Sequence, residues 1–298
     1  MPSEHYVGLA NKHMMSAQEV LDIASTFVEL GVRKIRLTGG EPLVRKDISE
    51  ILVGLKDLGC QLDITSNGIL LDKYWDELRQ SGISTLNLSI DTLNADRFKE
   101  IARRDELDRV LTNIHKALDY GFKVKLNCVV IANFNEDEIV DFVELTRHHD
   151  LDIRFIEFMP FNDNKWEWEK VVSLKKILEP IEAKYEFEKC TDHPNSTSKN
   201  FQVRGYKGRF GVISSVTAPF CSGCNRMRLT ADGKMRNCLF STTEFDLLTA
   251  YRNDENLVDV ITQCLASKKK ELGGLPEFKK EEEVLDSISE RSMIKIGG

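Results

Sequence analysis

Between Ser16 and Pro160 the sequence alternates short β-branched runs with amphipathic stretches, and this alternation limits the fold more than any other feature. Ser16 and Glu19 form a capping box, the apolar stripe Val20, Ile23, Ala24, Phe27, Leu30 follows, and Gly31 stops the helix. Five strands are expected, at 34–38, 62–65, 85–90, 124–131 and 153–158. Helices fall between them: one opened by Asp47 and Glu50 and ended by Gly59, others at 73–81 and 94–120, and one capped by Asn135 with Glu138. Strands that begin 23 to 39 residues apart, each followed by a helix, imply right-handed βαβ units and a parallel sheet. No GxGxxG and no GxxxxGK[ST] follows any strand, so the two commonest nucleotide-binding doubly wound folds lose support.

Polar residues gather at the strand C-terminal ends: Thr38-Gly39-Gly40-Glu41, Thr65-Ser66-Asn67, Ser89, and Glu157 with Met159. In an α/β barrel that end carries the chemistry. The expected fold class is therefore α/β, with a complete or partial parallel βα barrel as the preferred closure, although strand spacing alone does not separate a barrel from an open sheet. After Pro160 the pattern changes, which divides the chain into 1–160 and 161–298. The second part holds an irregular loop with two tryptophans, a helix at 173–183, short strands with Gly turns over 201–240, and helical stretches near 245–271 and 278–290. The Lys and Glu runs of 268–283 read as a solvated helix face.

Composition removes several classes of function. No apolar run approaches the roughly 20 residues a bilayer needs. Nothing near Met1 resembles a signal peptide. The net charge of −7 disfavours a general nucleic-acid binder. Seven cysteines, an odd number, disfavour a disulfide framework and leave metal ligation or burial.

Three cysteines stand out: Cys221 and Cys224 in a Cys-x-x-Cys turn, and Cys238 thirteen residues further on. They suit zinc or an iron–sulfur cluster, while a redox pair leaves Cys238 unexplained. A closed zinc site needs a fourth ligand, and His193 is the one histidine between Cys190 and Gly298. Three ligands instead suggest a cluster with one iron open. Cys60, Cys128, Cys190 and Cys264 are scattered and read as structural. The window from Arg204 to Arg236 carries +6, and Arg226 and Arg228 alternate on what reads as one strand after the cysteine turn. Guanidinium pairs of this kind suit phosphate, although a solvated basic strand gives the same pattern. Arg36 and Lys125 interrupt alternating strands, where each could face inward toward an anion or outward to water.

Lys34-Ile35-Arg36-Leu37-Thr38-Gly39-Gly40-Glu41-Pro42-Leu43, Ile64-Thr65-Ser66-Asn67-Gly68 and Ile153-Arg154-Phe155-Ile156-Glu157-Phe158-Met159 resemble the GTP 3′,8-cyclase family. So do Phe220-Cys221-Ser222-Gly223-Cys224-Asn225-Arg226-Met227-Arg228-Leu229 and the Gly-Gly terminus. These are radical S-adenosylmethionine lyases that begin molybdenum cofactor biosynthesis. The resemblance implies an incomplete parallel βα barrel over 1–160, lacking its first strand and cluster loop, with a C-terminal iron–sulfur cluster domain over 161–298. By the same resemblance Gly40, Ser89 and Met159 contact S-adenosylmethionine. It implies that Arg36, Thr65, Lys125, Arg226, Met227 and Arg228 contact GTP. Cys221, Cys224 and Cys238 would hold a second 4Fe–4S cluster whose open iron meets the guanine, and Gly297 and Gly298 would reach into the active site as catalytic residues. The implied reaction converts GTP to 3′,8-cyclo-7,8-dihydro-GTP, begun by a 5′-deoxyadenosyl radical that takes the ribose 3′ hydrogen. Implied partners are GTP, S-adenosylmethionine and an electron donor, with no nucleic acid and no membrane. A homodimer fits the family's habit. The implied compartment is the cytoplasm, or the mitochondrial matrix in a eukaryote.

The family's first cluster is held by CxxxCxxC near the N-terminus, commonly followed by Met-Pro, whereas this chain starts Met1-Pro2 and has no cysteine before Cys60. The expectation is a sequence that begins just after that motif, so the first 4Fe–4S cluster would need a restored N-terminus. The alternative is an inactive GTP-binding iron–sulfur protein.

Overall fold

The computed structural model describes residues 14–161 and 164–275 together with Arg291 and Met293. The first part runs α1 (Ala17–Glu29), β1 (Lys34–Leu37), α2 (Ile48–Asp57), β2 (Gln61–Ser66), α3 (Trp75–Gln80) and β3 (Thr85–Ser89). It continues with α4 (Ala95–Ala102), α5 (Leu107–Asp119), β4 (Lys123–Val130), α6 (Ile139–Glu144) and β5 (Leu151–Glu157). Each expected strand is present within two residues of its bounds, because β-branched period-2 runs between Gly-ended helices have little local choice. The capping box forms as read: Ser16 N–H donates to Glu19 Oε2 at 2.7 Å and Glu19 N–H to Ser16 Oγ at 3.2 Å. Asn135 behaves differently. Its side chain caps no helix but accepts from Ile131 N–H at 2.8 Å, closing the turn after β4.

Beyond residue 160 the chain adds α7 (Leu174–Glu182), β6 (Phe187–Lys189), β7 (Lys199–Val203) and β8 (Arg209–Ile213). A small separate sheet follows, of β9 (Arg228–Leu229), β10 (Lys234–Arg236) and β11 (Phe245–Asp246), and then α8 (Leu247–Arg252) and α9 (Leu257–Ala266). The expected 245–271 stretch is thus two helices, and the one near 278–290 lies outside the described residues. The main sheet has the order β1-β2-β3-β4-β5-β8-β7-β6, parallel from β1 through β8 and antiparallel across β7 and β6. Hydrogen bonding therefore continues across residue 160, since β8 pairs with β5.

Register sorts the side chains. Residues paired across strands share a face, as do residues two apart along a strand. One face carries Ile64, Leu86, Leu88, Val124, Leu126, Ile153, Phe155 and Phe210, all buried. Helices cover it, and each such side chain contributes about 1.5–3 kcal/mol by leaving water. The other face is polar. A separate apolar group (Met15, Ile23, Met235, Leu247, Leu248, Ile261, Cys264) joins α1 to α8, α9 and β10. Arg252 to Glu19 at 2.6 Å and Tyr251 to Asp22 at 2.5 Å reinforce that junction.

Candidate functional site

Parallel sheets are ordinarily buried on both faces by apolar side chains. Here the second face presents Lys34 and Arg36 from β1, Asp63 and Thr65 from β2, Asn87 and Ser89 from β3, and Lys123, Lys125 and Asn127 from β4. Asp152 and Arg154 of β5 and Arg209 of β8 complete it. Six cations share it with two carboxylates. Asp63 pairs with Lys34 at 2.5 Å and Arg36 at 3.4 Å, while Asp152 takes Arg209 in a two-pronged contact at 3.1 Å and Lys125 at 3.8 Å. Lys125 is half-buried and Arg36 exposed, and each lies on this face beside a carboxylate.

Arg154 is the most buried of these cations, 8% exposed. One of its nitrogens donates to Asn87 Oδ1, whose amide in turn donates to the Ile64 carbonyl at 3.1 Å, while Nε has no partner. Burial, with help from nearby Arg36, pulls the Arg154 pKa down to about 10, so it stays charged at neutral pH. Asn127 Oδ1, in register with Arg154, is likewise buried without a partner. Orphaned polar atoms of this kind are places where a water, an ion or a bound group can complete the hydrogen bonding. Nothing in the sequence singles out Arg154, because its role depends on register with β4.

The strand ends are built by carboxylates. Glu41, which follows Gly39 (φ +107) and Gly40, accepts from Asn67 N–H at 2.7 Å, Ser66 Oγ at 2.9 Å and Leu43 N–H at 3.1 Å. It clamps the ends of β1 and β2 together, and burial raises its pKa against those donors. Glu157, fully buried, accepts from Val216 and Thr217 N–H at 2.8 Å, from Leu174 N–H at 3.1 Å and from the Thr217 hydroxyl. It thereby anchors the segment that leads to Cys221, and its lone pairs are spent on structure. Ser89 lies exposed at the end of β3. A cleft of about 540 Å³ opens at this same end of the sheet, lined in part by Ile131, Asn133, Phe158 and Asn164.

Cys221 begins a short turn and Cys238 follows β10; with Met159 both pack against one apolar group containing Phe158, Phe161, Phe240 and Leu272. Burial raises the Cys221 thiol, the Leu272 N–H opposes, and the neighbouring Cys238 and Cys224 push further up. Cys224 is also penalised by burial, yet contacts with Arg226 and the Lys268 charge hold it below the ordinary thiol value. Among the described residues no three His, Cys, Asp or Glu side chains converge on a point fit for a single metal ion. Cluster cysteines each bind a different iron and need no such convergence. Soft thiolates in an apolar shell with N–H donors suit such a group.

The strand after the cysteine turn starts only at Arg228, so Arg226 is not its face-mate. Arg226 lies over the Phe220 ring at 5.2 Å, with Nη2 buried and unpaired. Arg228 is held down to about 10 by burial, with Cys238 opposing and the charges of Arg226, Arg236 and Arg36 adding to the fall. Arg228 is thus near enough to Arg36 of the sheet face to feel its charge. Met227 packs into the apolar group under α1, α8 and α9, which leaves its backbone for any ligand. Gly297 and Gly298 lie outside the described residues.

A family model described as Radical SAM superfamily matches residues 7–146, and one described as Molybdenum Cofactor Synthesis C matches 151–273. The chain is 46% identical over 278 residues to Molybdenum cofactor biosynthesis protein 1 of Drosophila melanogaster, covering 91% of this chain and 49% of that protein. It is 41% identical to the mitochondrial GTP 3′,8-cyclase of Arabidopsis thaliana, with 100% and 76% covered, and 38% identical to GTP 3′,8-cyclase of Alkaliphilus oremlandii, with 100% and 92% covered. It spans about half the length of the Drosophila and Dictyostelium discoideum relatives. In fold it is similar to Streptococcus suis SuiB bound to S-adenosylmethionine, with a TM-score of 0.61 at 17% identity, covering 93% of this chain and 65% of that one.

Proposed function

Because the chain belongs to the GTP 3′,8-cyclase family of radical S-adenosylmethionine proteins, we propose that its cationic sheet face and cysteine motif bind GTP for closure of a ribose C3′ to guanine C8 bond. The product is 3′,8-cyclo-7,8-dihydro-GTP and the reaction opens molybdenum cofactor biosynthesis. One observation carries this reading: six cations share one face of a mostly parallel sheet with only two carboxylates, with Arg154 Nε left unpaired. A triphosphate supplies the missing negative charge and the missing acceptor.

In this reading the sheet is an incomplete barrel. Residues 1–160 hold S-adenosylmethionine, and 161–298 hold the second cluster and much of the GTP. Arg36, Thr65, Lys125, Arg226 and Arg228, with the Met227 backbone and the added Arg154, orient GTP. Gly40, Ser89 and Met159, at the ends of β1, β3 and β5, hold S-adenosylmethionine. Cys221, Cys224 and Cys238 hold a 4Fe–4S cluster whose open iron takes the guanine end, and Gly297-Gly298 serves the site from the tail. S-adenosylmethionine supplies the hydrogen-abstracting radical once it is reductively cleaved. For the cluster that cleaves it, this chain as given holds no cysteine triplet: the thiols outside the motif are dispersed at Cys60, Cys128, Cys190 and Cys264. The alternative reading is a GTP-binding iron–sulfur protein without turnover, while the relatives named GTP 3′,8-cyclase favour the main one. An electron donor and a homodimer belong to the main reading. So does a cytoplasmic or mitochondrial matrix location, the latter supported by the mitochondrial Arabidopsis relative. Among the described residues no helix is long and apolar enough to cross a membrane.

Anaerobic reconstitution tests both readings. The chain is expected to take up about four irons, lost in Cys224→Ala. GTP affinity is expected to fall about tenfold or more in Arg154→Ala and Arg228→Ala, since each removes a charge-assisted contact. Zinc in place of iron, or GTP affinity indifferent to both arginines, overturns the proposal. GTP binding without release of 5′-deoxyadenosine under strong reductant selects the second reading.

A further inference from the structure

By composition the 268–283 run is a solvated helix face, yet its first residues are committed elsewhere. α9 ends at Ala266, and the chain then turns onto the cysteine motif. Lys268 Nζ stands 3.8 Å from Cys224 Sγ and donates to the Arg226 carbonyl at 3.2 Å. Four residues on, the Leu272 backbone N–H donates to Cys221 Sγ at 3.4 Å. One short segment thus brings donors to two of the three sulfurs.

The backbone is bent to achieve this. Leu272, Gly273 and Gly274 have φ of +47, +68 and +93. A bulky side chain in the left-handed region is an outlier, kept only where its surroundings over-determine it. The Leu272 side chain is buried among the apolar residues that also contact Cys221 and Cys238. A Cβ on Gly273 would lie 2.8 Å from Ser241 N and 2.9 Å from Phe240 C, backbone atoms of the segment just after Cys238. Only glycine lets the turn sit this close, so it touches the surroundings of the third cysteine as well.

We infer that Lys268 and the Leu272–Gly274 turn form a donor cap over the cysteine motif that sets the reduction potential of its cluster and shields it from water. This rests on the reading that Cys221, Cys224 and Cys238 hold a 4Fe–4S cluster. The potential of such a cluster depends on local charge, on hydrogen bonds to its sulfurs and on exposure. Reduction adds negative charge that a nearby ammonium and N–H donors stabilise, so the cap raises the potential. Lys268 also fixes the Arg226 carbonyl. It acts through Cys224 and Arg226, and is a positioning residue.

The full chain, reconstituted anaerobically, can be titrated with reductant while its cluster is followed by electron paramagnetic resonance. Iron loss to a chelator is measured alongside. In Lys268→Met the midpoint is expected to move to more negative potential and iron to leave about tenfold faster. Lys268→Arg is expected to return both toward the wild-type values. Gly273→Ala, which pushes the turn off the Phe240–Ser241 backbone, is expected to speed iron loss with Lys268 intact. Unchanged midpoint and release in Lys268→Met and Gly273→Ala overturn the cap. So does loss of iron from Lys268→Arg equal to that from Lys268→Met, which assigns the side chain to folding. A wild-type chain that assembles no cluster instead overturns the cluster reading itself.

Discussion

Lys125 combines burial, a carboxylate at 3.8 Å and a neighbouring guanidinium. Burial, then repulsion from Arg154, brings its pKa from 10.5 down to about 8 despite the pull of Asp152. Folded chains therefore bind fewer protons than unfolded ones between those values, and this residue's contribution to stability rises with pH across that window and is lost as pH falls through the folded pKa. A bound polyphosphate favours the charged form and takes up a proton above pH 8. GTP affinity is expected to weaken above that pH, by up to about tenfold per unit. Calorimetric titration between pH 7.5 and 9.5 checks this, and Lys125→Met should bind more weakly with the slope removed. A slope that survives in Lys125→Met assigns the proton elsewhere. Lys125 and Arg36 are legible in the sequence, as cations in strands that otherwise alternate cleanly. Arg154, Asp63 and Asp152 are not, since what they face follows from strand register.

Among the elements, β8 departs most from the sequence-based expectation. Residues 201–240 read as short strands outside the βα pattern, yet β8 joins the parallel sheet beside β5. Its entry depends on Gly208, whose N–H donates to the Thr146 carbonyl at 2.9 Å. A Cβ there would lie 2.2 Å from the Leu151 carbonyl oxygen and 2.7 Å from that of His149. These are backbone atoms of the neighbouring strand and its approach, with no flexible end to move aside. Gly208→Ala is expected to cost about 1–3 kcal/mol, and to loosen the adjacent Arg209–Asp152 contact on the site face. Urea denaturation measures the cost; a variant within about 0.5 kcal/mol of wild type would mean the strand can shift freely. No local pattern announces this pairing, because it joins segments more than fifty residues apart.

For the molecule as a whole, continuity of the sheet across residue 160 is expected to couple the two parts into one unfolding unit. Trp75 lies before that point and Trp166 and Trp168 after it, so fluorescence samples both sides while far-UV circular dichroism samples the backbone. Coincident urea transitions by the two signals are expected. A fragment ending at Pro160 exposes the β5 edge that β8 covers, and should unfold without a cooperative transition. Separate transitions in the intact chain, or a cooperative fragment, would divide the molecule at 160.

By itself the sequence determined the five leading strands, most of the helices between them and the spacing of Cys221, Cys224 and Cys238. Those features rest on backbone sterics, capping and side-chain period, which act over a few residues. Only the tertiary structure decided that six cations share one sheet face, that Glu41 and Glu157 are held as structural clamps, and that Lys268 leaves its charged run for Cys224. Each depends on register or on contact between distant segments, whose free energy comes from burial and paired charge across the fold.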